Sequence, residues 1–170
     1  MSIKIVALLA LVALLWSLFR LSMGLRWAKV SRESARQEEE ARGRRIVAEL
    51  PSPEGTLGFF AEDHAGFYWP GGEAGKSALR GARLLLNGGV VSAVARPAAA
   101  LPEPPAAESF EGRERWEVAL YPADGRTRTV ACGMVREGVS REIATRVFEA
   151  VRAAVETAVA PPPGAAGGRK

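Results

Sequence analysis

The feature that most constrains this chain is an apolar run close to its N-terminus. Ile5–Phe19 reads IVALLALVALLWSLF, a stretch with one polar residue, and Arg20 follows it directly. A bilayer core requires about 20 apolar residues in a helix. Ile5–Leu25 supplies that length if Arg20 extends its charged end towards the lipid headgroups. The run therefore predicts a transmembrane anchor over residues 1–25.

A cleaved signal peptide is the alternative interpretation of this run, and Arg20 inside the stretch favours an anchor instead. Basic residues concentrate on the C-terminal side of the run. By the positive-inside rule, a single-pass signal-anchor topology is predicted, with the N-terminus outside and the following domain in the cytoplasm. The residues predicted to flank the membrane, where anionic lipid would also be contacted, are Arg20, Arg26, Trp27, Lys29 and Arg32.

Charge is distributed unevenly along the chain. Residues 1–50 contain nine Lys/Arg and five Glu, whereas residues 51–170 contain fourteen residues of each sign. Residues 26–50 are rich in Arg, Glu and Ala, which favour helix, and Pro51 follows. This composition predicts a charged juxtamembrane helix over residues 26–50. Because the remaining chain has no net charge, nucleic acid is not an expected partner.

Residues 54–160 carry the pattern of a small α+β domain. Asn87-Gly88 and Asp124-Gly125 stand between alternating apolar segments, which is typical of antiparallel hairpins. Ser140 is positioned to cap a helix that ends the domain. The pattern predicts a small antiparallel sheet or partial barrel of hairpins closed by one C-terminal amphipathic helix. The apolar face of that helix contains Ile143, Val147, Phe148, Val151 and Val155.

Two segments of low complexity interrupt or follow this domain. Residues 96–112 read RPAAALPEPPAAESFEG, which is too long for a hairpin turn and predicts a mobile loop. Residues 161–170 contain proline, glycine and alanine and cannot build a core, so they predict a disordered tail.

The end of the domain carries a resemblance to a known family. Residues 115–135 (RWEVALYPADGRTRTVACGMV) form a final hairpin, and a Gly-Val-Ser-Arg-Glu turn leads from it into the closing helix. This arrangement resembles the end of pleckstrin-homology-like domains in bacterial membrane-associated proteins. The resemblance implies a bent sheet or partial barrel closed by a helix. It transfers no functional residue, because that fold supports many binding functions.

A glycine-rich segment, Pro70–Ser77, is the strongest candidate for chemistry. It reads PGGEAGKS and approaches the phosphate-binding pattern G-x-x-x-x-G-K-[ST], with Gly75, Lys76 and Ser77 in the final positions. Pro70 stands where that pattern requires its first glycine, and proline removes a backbone donor. The segment therefore indicates a loop between hairpins, with nucleotide binding as the alternative. No cofactor is predicted.

Two further sets of side chains are candidates for function. Cys132 and His64 could form a nucleophile and base, but Cys132 falls on the apolar face of a strand and His64 in an acidic turn. A buried thiol and a solvated imidazole are therefore predicted, with no catalytic residues. One cysteine and one histidine also exclude a common zinc site. Phe59, Phe60, Phe67, Tyr68 and Trp69 form an aromatic cluster. Core packing is the expected role of most of this cluster, and an exposed partner-binding surface formed by Phe60, Tyr68 and Trp69 is the alternative.

Together these features predict a non-enzymatic, membrane-anchored accessory or scaffold protein. Its small cytoplasmic domain would bind a protein partner or organise a membrane complex. The alternatives are a nucleotide-binding enzyme that uses residues 70–77 and a domain that binds lipid headgroups.

Overall fold

The computed structural model describes residues 3–51, 57–104, 114–133 and 137–158. The chain divides into two compact units, Met1–Ala41 and Arg42–Lys170. In the first unit, one continuous helix, α1, runs from Ile3 to Ala41. Gly43 follows it with a φ of 74°, a left-handed conformation that ends helices and suits glycine.

The predicted transmembrane anchor over residues 1–25 is wrong. In the part of the chain that the structure describes, no helix is both long enough and apolar enough to cross a membrane. The uninterrupted apolar run, Ile5–Phe19, has fifteen residues and falls short of the length that a bilayer core requires. Arg20 then begins the charged part of α1. The predicted single-pass topology, with the N-terminus outside and the domain in the cytoplasm, depends on this anchor and is therefore also wrong.

The predicted charged helix over residues 26–50 is wrong in its last third. Helix α1 ends at Ala41, and the first strand, β1, occupies Arg45–Pro51. The Ile46-Val47 pair explains the difference, because β-branched residues favour strands when their faces are buried. The folded domain consequently begins at Arg42 rather than at residue 54.

Within the described residues of the second unit, eight strands form two antiparallel sheets of four strands each. Sheet A has the order β1-β2-β3-β4, and sheet B has the order β6-β5-β7-β8. After β1, the strands are β2 Leu57–Glu62, β3 Gly66–Trp69, β4 Gly72–Gly75, β5 Leu79–Leu86, β6 Gly89–Ala95, β7 Trp116–Pro122 and β8 Arg128–Gly133.

The single sheet or partial barrel predicted from the sequence is therefore corrected to two separate sheets that are not closed. A 3-10 turn, Lys76–Ala78, separates β4 from β5. The chain leaves sheet A at this turn and begins sheet B. Local turn signals predict which neighbouring strands form hairpins, but they do not determine which hairpins share a sheet.

The predicted hairpin turns are confirmed. Asn87 and Gly88 have φ values of 49° and 79° between β5 and β6, as a type I′ turn requires. Gly125 has a φ of 77° between β7 and β8. Between β2 and β3, Asp63 Oδ1 accepts the backbone N–H of Ala65 at 2.7 Å and of Gly66 at 2.8 Å.

Helix α2, Glu137–Thr157, packs against strands of both sheets and closes the main core. It begins three residues before Ser140, which lies buried inside the helix rather than at its N-cap. The predicted apolar face is confirmed: Val147, Phe148, Val151 and Val155 are buried, and Ile143 packs beside them. We call the side of sheet B that meets α2 its inner face.

The opposite side of sheet B, its outer face, carries a second and smaller core. Leu85, Ala119 and Tyr121 are buried there, and Leu101 packs against them. Leu101 belongs to residues 96–104, which we call the covering segment. Arg83 Nη1 binds this segment by donating to the Pro102 carbonyl at 2.5 Å. The described part of the predicted mobile loop 96–112 is therefore packed on sheet B; residues 105–112 and the tail 161–170 lie outside the described residues.

Candidate functional site

A cleft in the second unit lies between the edge of sheet A and the C-terminal end of α2. Its volume is about 420 Å³, which falls within the range of small-molecule and side-chain binding sites. Ionisable side chains line one wall, and small side chains line the other. The lining residues are Arg45, Glu62, Lys76, Ser77, Ala150, Ala153, Ala154, Thr157 and Ala158.

Glu62 is the buried charge of this cleft. It is the last residue of β2 and lies two positions after Phe60, so that its side chain points to the same side of the sheet as that core residue. Only 8% of Glu62 is exposed. Two cations hold its carboxylate: Arg45 Nε donates at 2.9 Å to Oε1, and Lys76 Nζ lies 3.0 Å from Oε2. A buried carboxylate with both oxygens paired is stabilised in its charged form.

The electrostatic balance at Glu62 follows from these contacts. Burial alone would raise the pKa of the carboxyl group, but the hydrogen bonds and charges of Arg45 and Lys76 outweigh burial and lower it. Glu62 therefore stays ionised at neutral pH. With two cations around one anion, these three side chains carry a net single positive charge, and 76% of the Arg45 side chain is exposed.

Lys76 is held by contacts to its backbone and its side chain. Its N–H donates to the Ala65 carbonyl at 2.9 Å, and its own carbonyl accepts Arg96 Nη2 at 3.0 Å. The Lys76 Nζ also lies 4.9 Å from the centre of the Phe67 ring, within cation–π range. The two hydrogen bonds fix the main chain of Lys76, and the contacts with Glu62 and Phe67 place its ammonium group at the cleft.

The opposite wall is built from the last turns of α2. Ala150, Ala153, Ala154, Thr157 and Ala158 follow a spacing of three and four residues, which places them on one side of a helix. Alanine methyl groups leave open volume that larger side chains would fill. This wall is mostly apolar, because four of its five residues are alanines and the Thr157 hydroxyl donates to the Ala153 carbonyl at 2.7 Å. It therefore complements an aliphatic group better than a polar one.

The phosphate-loop alternative for Gly75, Lys76 and Ser77 receives no support from the geometry. A phosphate-binding loop joins a strand to a helix whose N-terminus faces the phosphate. Here Gly75 ends a strand, Lys76 and Ser77 form part of a three-residue 3-10 turn, and β5 starts at Leu79. In addition, Lys76 Nζ is already paired with Glu62.

The predicted partner surface of Phe60, Tyr68 and Trp69 is corrected by their burial. Phe60 has no exposed surface and stacks with Phe67 at a centroid distance of 5.5 Å, so a partner cannot reach it. Trp69 is half-buried and stacks with Phe60 at 6.0 Å. Tyr68 is also half-buried, and its hydroxyl donates to Asp63 Oδ2 at 3.0 Å. Internal packing therefore occupies the aromatic cluster.

Cys132 and His64 do not form a catalytic pair. Cys132 is fully buried in the core on the inner face of sheet B, and burial, with a smaller contribution from Glu117, raises its pKa to about 12. His64 is exposed in the β2–β3 turn of sheet A. The prediction of a buried thiol and a solvated imidazole is confirmed. Within the described ranges, no group of three or more His, Cys, Asp and Glu side chains is arranged to hold a metal ion.

The residues predicted to flank a membrane all lie in α1. Arg20 and Arg32 are exposed, while the side chains of Arg26, Trp27 and Lys29 lie outside the described part of the structure. Their assignment depended on the transmembrane anchor and is withdrawn with it.

The cleft was not predicted from the sequence, although part of its signal was present. The sequence pattern indicates Lys76 only as a candidate phosphate ligand and gives no signal that it pairs with Glu62. The pairing of the two depends on the β2–β3 and β3–β4 hairpins, which return the chain to the end of β2. The alanines on α2 were the remaining signal, because small residues concentrate near the end of that helix.

Comparison with protein-family models, with curated protein sequences and with solved structures finds no match to this chain. The resemblance to pleckstrin-homology-like domains therefore remains a prediction from the sequence.

Proposed function

We propose that this chain is a non-enzymatic binding module and that its cleft receives a carboxylate-bearing segment of a protein partner. The observation that carries the proposal is the ion-paired state of Glu62. Its lowered pKa makes the carboxylate a weak base at neutral pH, which suits a fixed charge better than a proton acceptor.

The cleft combines the two features that such a segment requires. Arg45 has five N–H donors in its guanidinium group, and only Nε and Nη2 are directed to Glu62. A partner carboxylate can bind the exposed side of Arg45 while an adjacent aliphatic side chain rests on the alanine wall of α2. Arginine is suited to this role because its planar group binds carboxylates through paired hydrogen bonds.

The proposal is tested with two short blocked peptides that differ in one side chain. The first carries a single glutamate between two leucines, and the second has glutamine in its place. In ¹⁵N–¹H NMR titrations of the full chain, we expect the glutamate peptide to shift the amide signals of Arg45, Lys76 and Ala154, and the glutamine peptide to shift them much less. Arg45→Gln should abolish the difference between the peptides, whereas Arg141→Gln, an exposed change elsewhere, should preserve it.

Two results would contradict the proposal. One is equal binding of both peptides, which would remove the role of the carboxylate. The other is tight, Mg²⁺-dependent binding of ATP that is lost in Lys76→Ala, which would favour the nucleotide-binding alternative instead.

A further inference from the structure

Arg96 connects the covering segment of sheet B with the turn that carries Lys76. It is the first residue of the covering segment, and its N–H donates to the Arg80 carbonyl of β5 at 2.8 Å. Its side chain reaches the 3-10 turn, where Nη2 donates to the Lys76 carbonyl at 3.0 Å. One half-buried arginine therefore joins a segment packed on the outer face of sheet B to a residue of the cleft.

The main chain of Arg96 depends on the packing of the covering segment. The Arg96 carbonyl accepts the Ala99 N–H at 3.0 Å, which closes a turn at the start of this segment. Two residues after Ala99, Leu101 packs into the smaller core on the outer face. Release of Leu101 from that core would therefore loosen the turn that holds Arg96.

The 3-10 turn depends in part on the donation from Arg96. The turn has three residues and no side-chain cap, and short turns of this kind have poor hydrogen-bond geometry. Inside the turn, the Lys76 carbonyl accepts the Leu79 N–H. Arg96 supplies a second donor to the same oxygen, which has two lone pairs.

The guanidinium of Arg96 contributes little to stability on balance. Its Nε is buried and has no hydrogen-bond partner among the described residues. A buried donor without a partner costs free energy, and this cost offsets the bond that Nη2 makes. The position of Lys76 can therefore be disturbed at Arg96 without a large loss of stability.

The position of Lys76 decides whether Arg45 is free to bind a partner. Arg45 Nε and Nη2 both donate to Glu62 Oε1, and Lys76 Nζ lies 3.0 Å from Oε2. If Lys76 moved away, the Glu62 carboxylate could turn both oxygens to the guanidinium of Arg45, which favours such paired contacts. Glu62 would then compete with the carboxylate of a partner.

We propose that Arg96 is a positioning residue for the cleft and that it makes the affinity of the cleft depend on the packing of the covering segment. This inference rests on the proposed function. Arg96 acts through the main chain of Lys76 and has no contact with the partner.

The experiment measures the affinity of the full chain for the glutamate peptide by NMR titration. Arg96→Met keeps the aliphatic stem and removes the donor, and it should weaken binding by about threefold to tenfold, the effect of losing one hydrogen bond. In a Lys76→Met background, the same change should alter the affinity by less than about twofold, because Arg96 acts through Lys76. Arg128→Met is the matched control: Arg128 also donates from sheet B to a carbonyl of sheet A, that of Glu73, and its loss should leave the affinity unchanged.

The dependence on the covering segment is tested with Leu101→Ala. This change should weaken binding of the glutamate peptide in the wild type and have no further effect in Arg96→Met. Amide hydrogen exchange of the free chain provides a readout that needs no peptide. The Lys76 amide, which donates to Ala65, should exchange faster in Arg96→Met and in Leu101→Ala but not in Arg128→Met.

The outcomes separate this inference from the proposed function. Equal binding of the glutamate and glutamine peptides by the wild type would contradict the proposed function. A wild type that prefers the glutamate peptide, together with full affinity in Arg96→Met, would overturn the positioning role alone. An equal loss in Arg128→Met would also overturn it, because it would show general loosening between the sheets. Unchanged exchange at Lys76 in both Arg96→Met and Leu101→Ala would overturn the link whatever the peptides do.

Discussion

The two faces of sheet B are covered in different ways. The inner face meets α2, a 21-residue helix that places Val147, Phe148 and Val151 over the sheet. The outer face meets the covering segment, which contributes Leu101 and a hydrogen bond from Arg83 to Pro102. Every residue of β7 is buried, so both of its faces are buried. One face is covered by a long helix, however, and the other by a short segment without regular structure. Burial of a strand therefore does not by itself reveal how much the covering element contributes to stability.

The largest expected effect is on the inner face. Phe148→Ala should lower the free energy of unfolding of the domain by about 3–5 kcal/mol, because a fully buried aromatic ring is removed and a cavity is left. Urea unfolding followed by thiol labelling of Cys132 measures this. Cys132 is the only cysteine and lies in the same core, so its labelling reports on this domain alone.

Arg141→Ala on the exposed side of α2 is the matched control and should change stability by no more than about 0.5 kcal/mol. A loss below about 1 kcal/mol in Phe148→Ala would show that the helix contributes less than its burial indicates, and the contrast between the faces would disappear.

An intermediate effect is expected at Gly81, where β5, β6 and the covering segment meet. A β-carbon at this position would collide with the Val94 carbonyl oxygen and would lie 2.9 Å from Leu101 Cδ2. Gly81→Ala should therefore destabilise the domain by about 1–3 kcal/mol, because either the strand or the covering segment must move. The same urea titration measures this loss.

Gly75→Ala is the control for Gly81→Ala, since a β-carbon there would meet its nearest neighbour only at 3.9 Å. Equal stability of the two variants would mean that the covering segment moves aside freely and that the outer face is not a packed core.

The smallest effect is expected from Leu101→Ala. Because this side chain is only half-buried, its truncation should cost about 1–2 kcal/mol. Hydrogen exchange should be faster at the Arg96 and Ala99 amides, both of which donate backbone hydrogen bonds. The exchange rates of the α2 amides should change little. A loss as large as that of Phe148→Ala would instead mean that the two faces unfold as one cooperative unit.

The inner face could be predicted from the sequence, and the outer face could not. The apolar stripe of α2 and the turn at Asn87-Gly88 are periodic or local signals, and both are present in the structure. Leu101 lies in a proline- and alanine-rich stretch without periodicity, so no pattern indicated that it packs on Tyr121. The same limit applies to the cleft, because Glu62 and Ala154 are brought together only by the packing of α2 on sheet A. The predicted anchor fails for another reason: Arg20 interrupts the apolar run, which leaves only the fifteen residues Ile5–Phe19.

The position of β5 between β6 and β7 also has a consequence for the order in which the domain folds. Leu86 pairs with Gly89 across a tight turn, but it also pairs with Trp116, thirty positions further along the chain. A short hairpin closes in microseconds, whereas distant strands must first overcome the entropy of closing a long loop. The β5–β6 hairpin is therefore expected to form early and to serve as the template on which β7 docks. Because the closure entropy grows only as the logarithm of loop length, doubling the connection between β6 and β7 should cost about 0.6 kcal/mol.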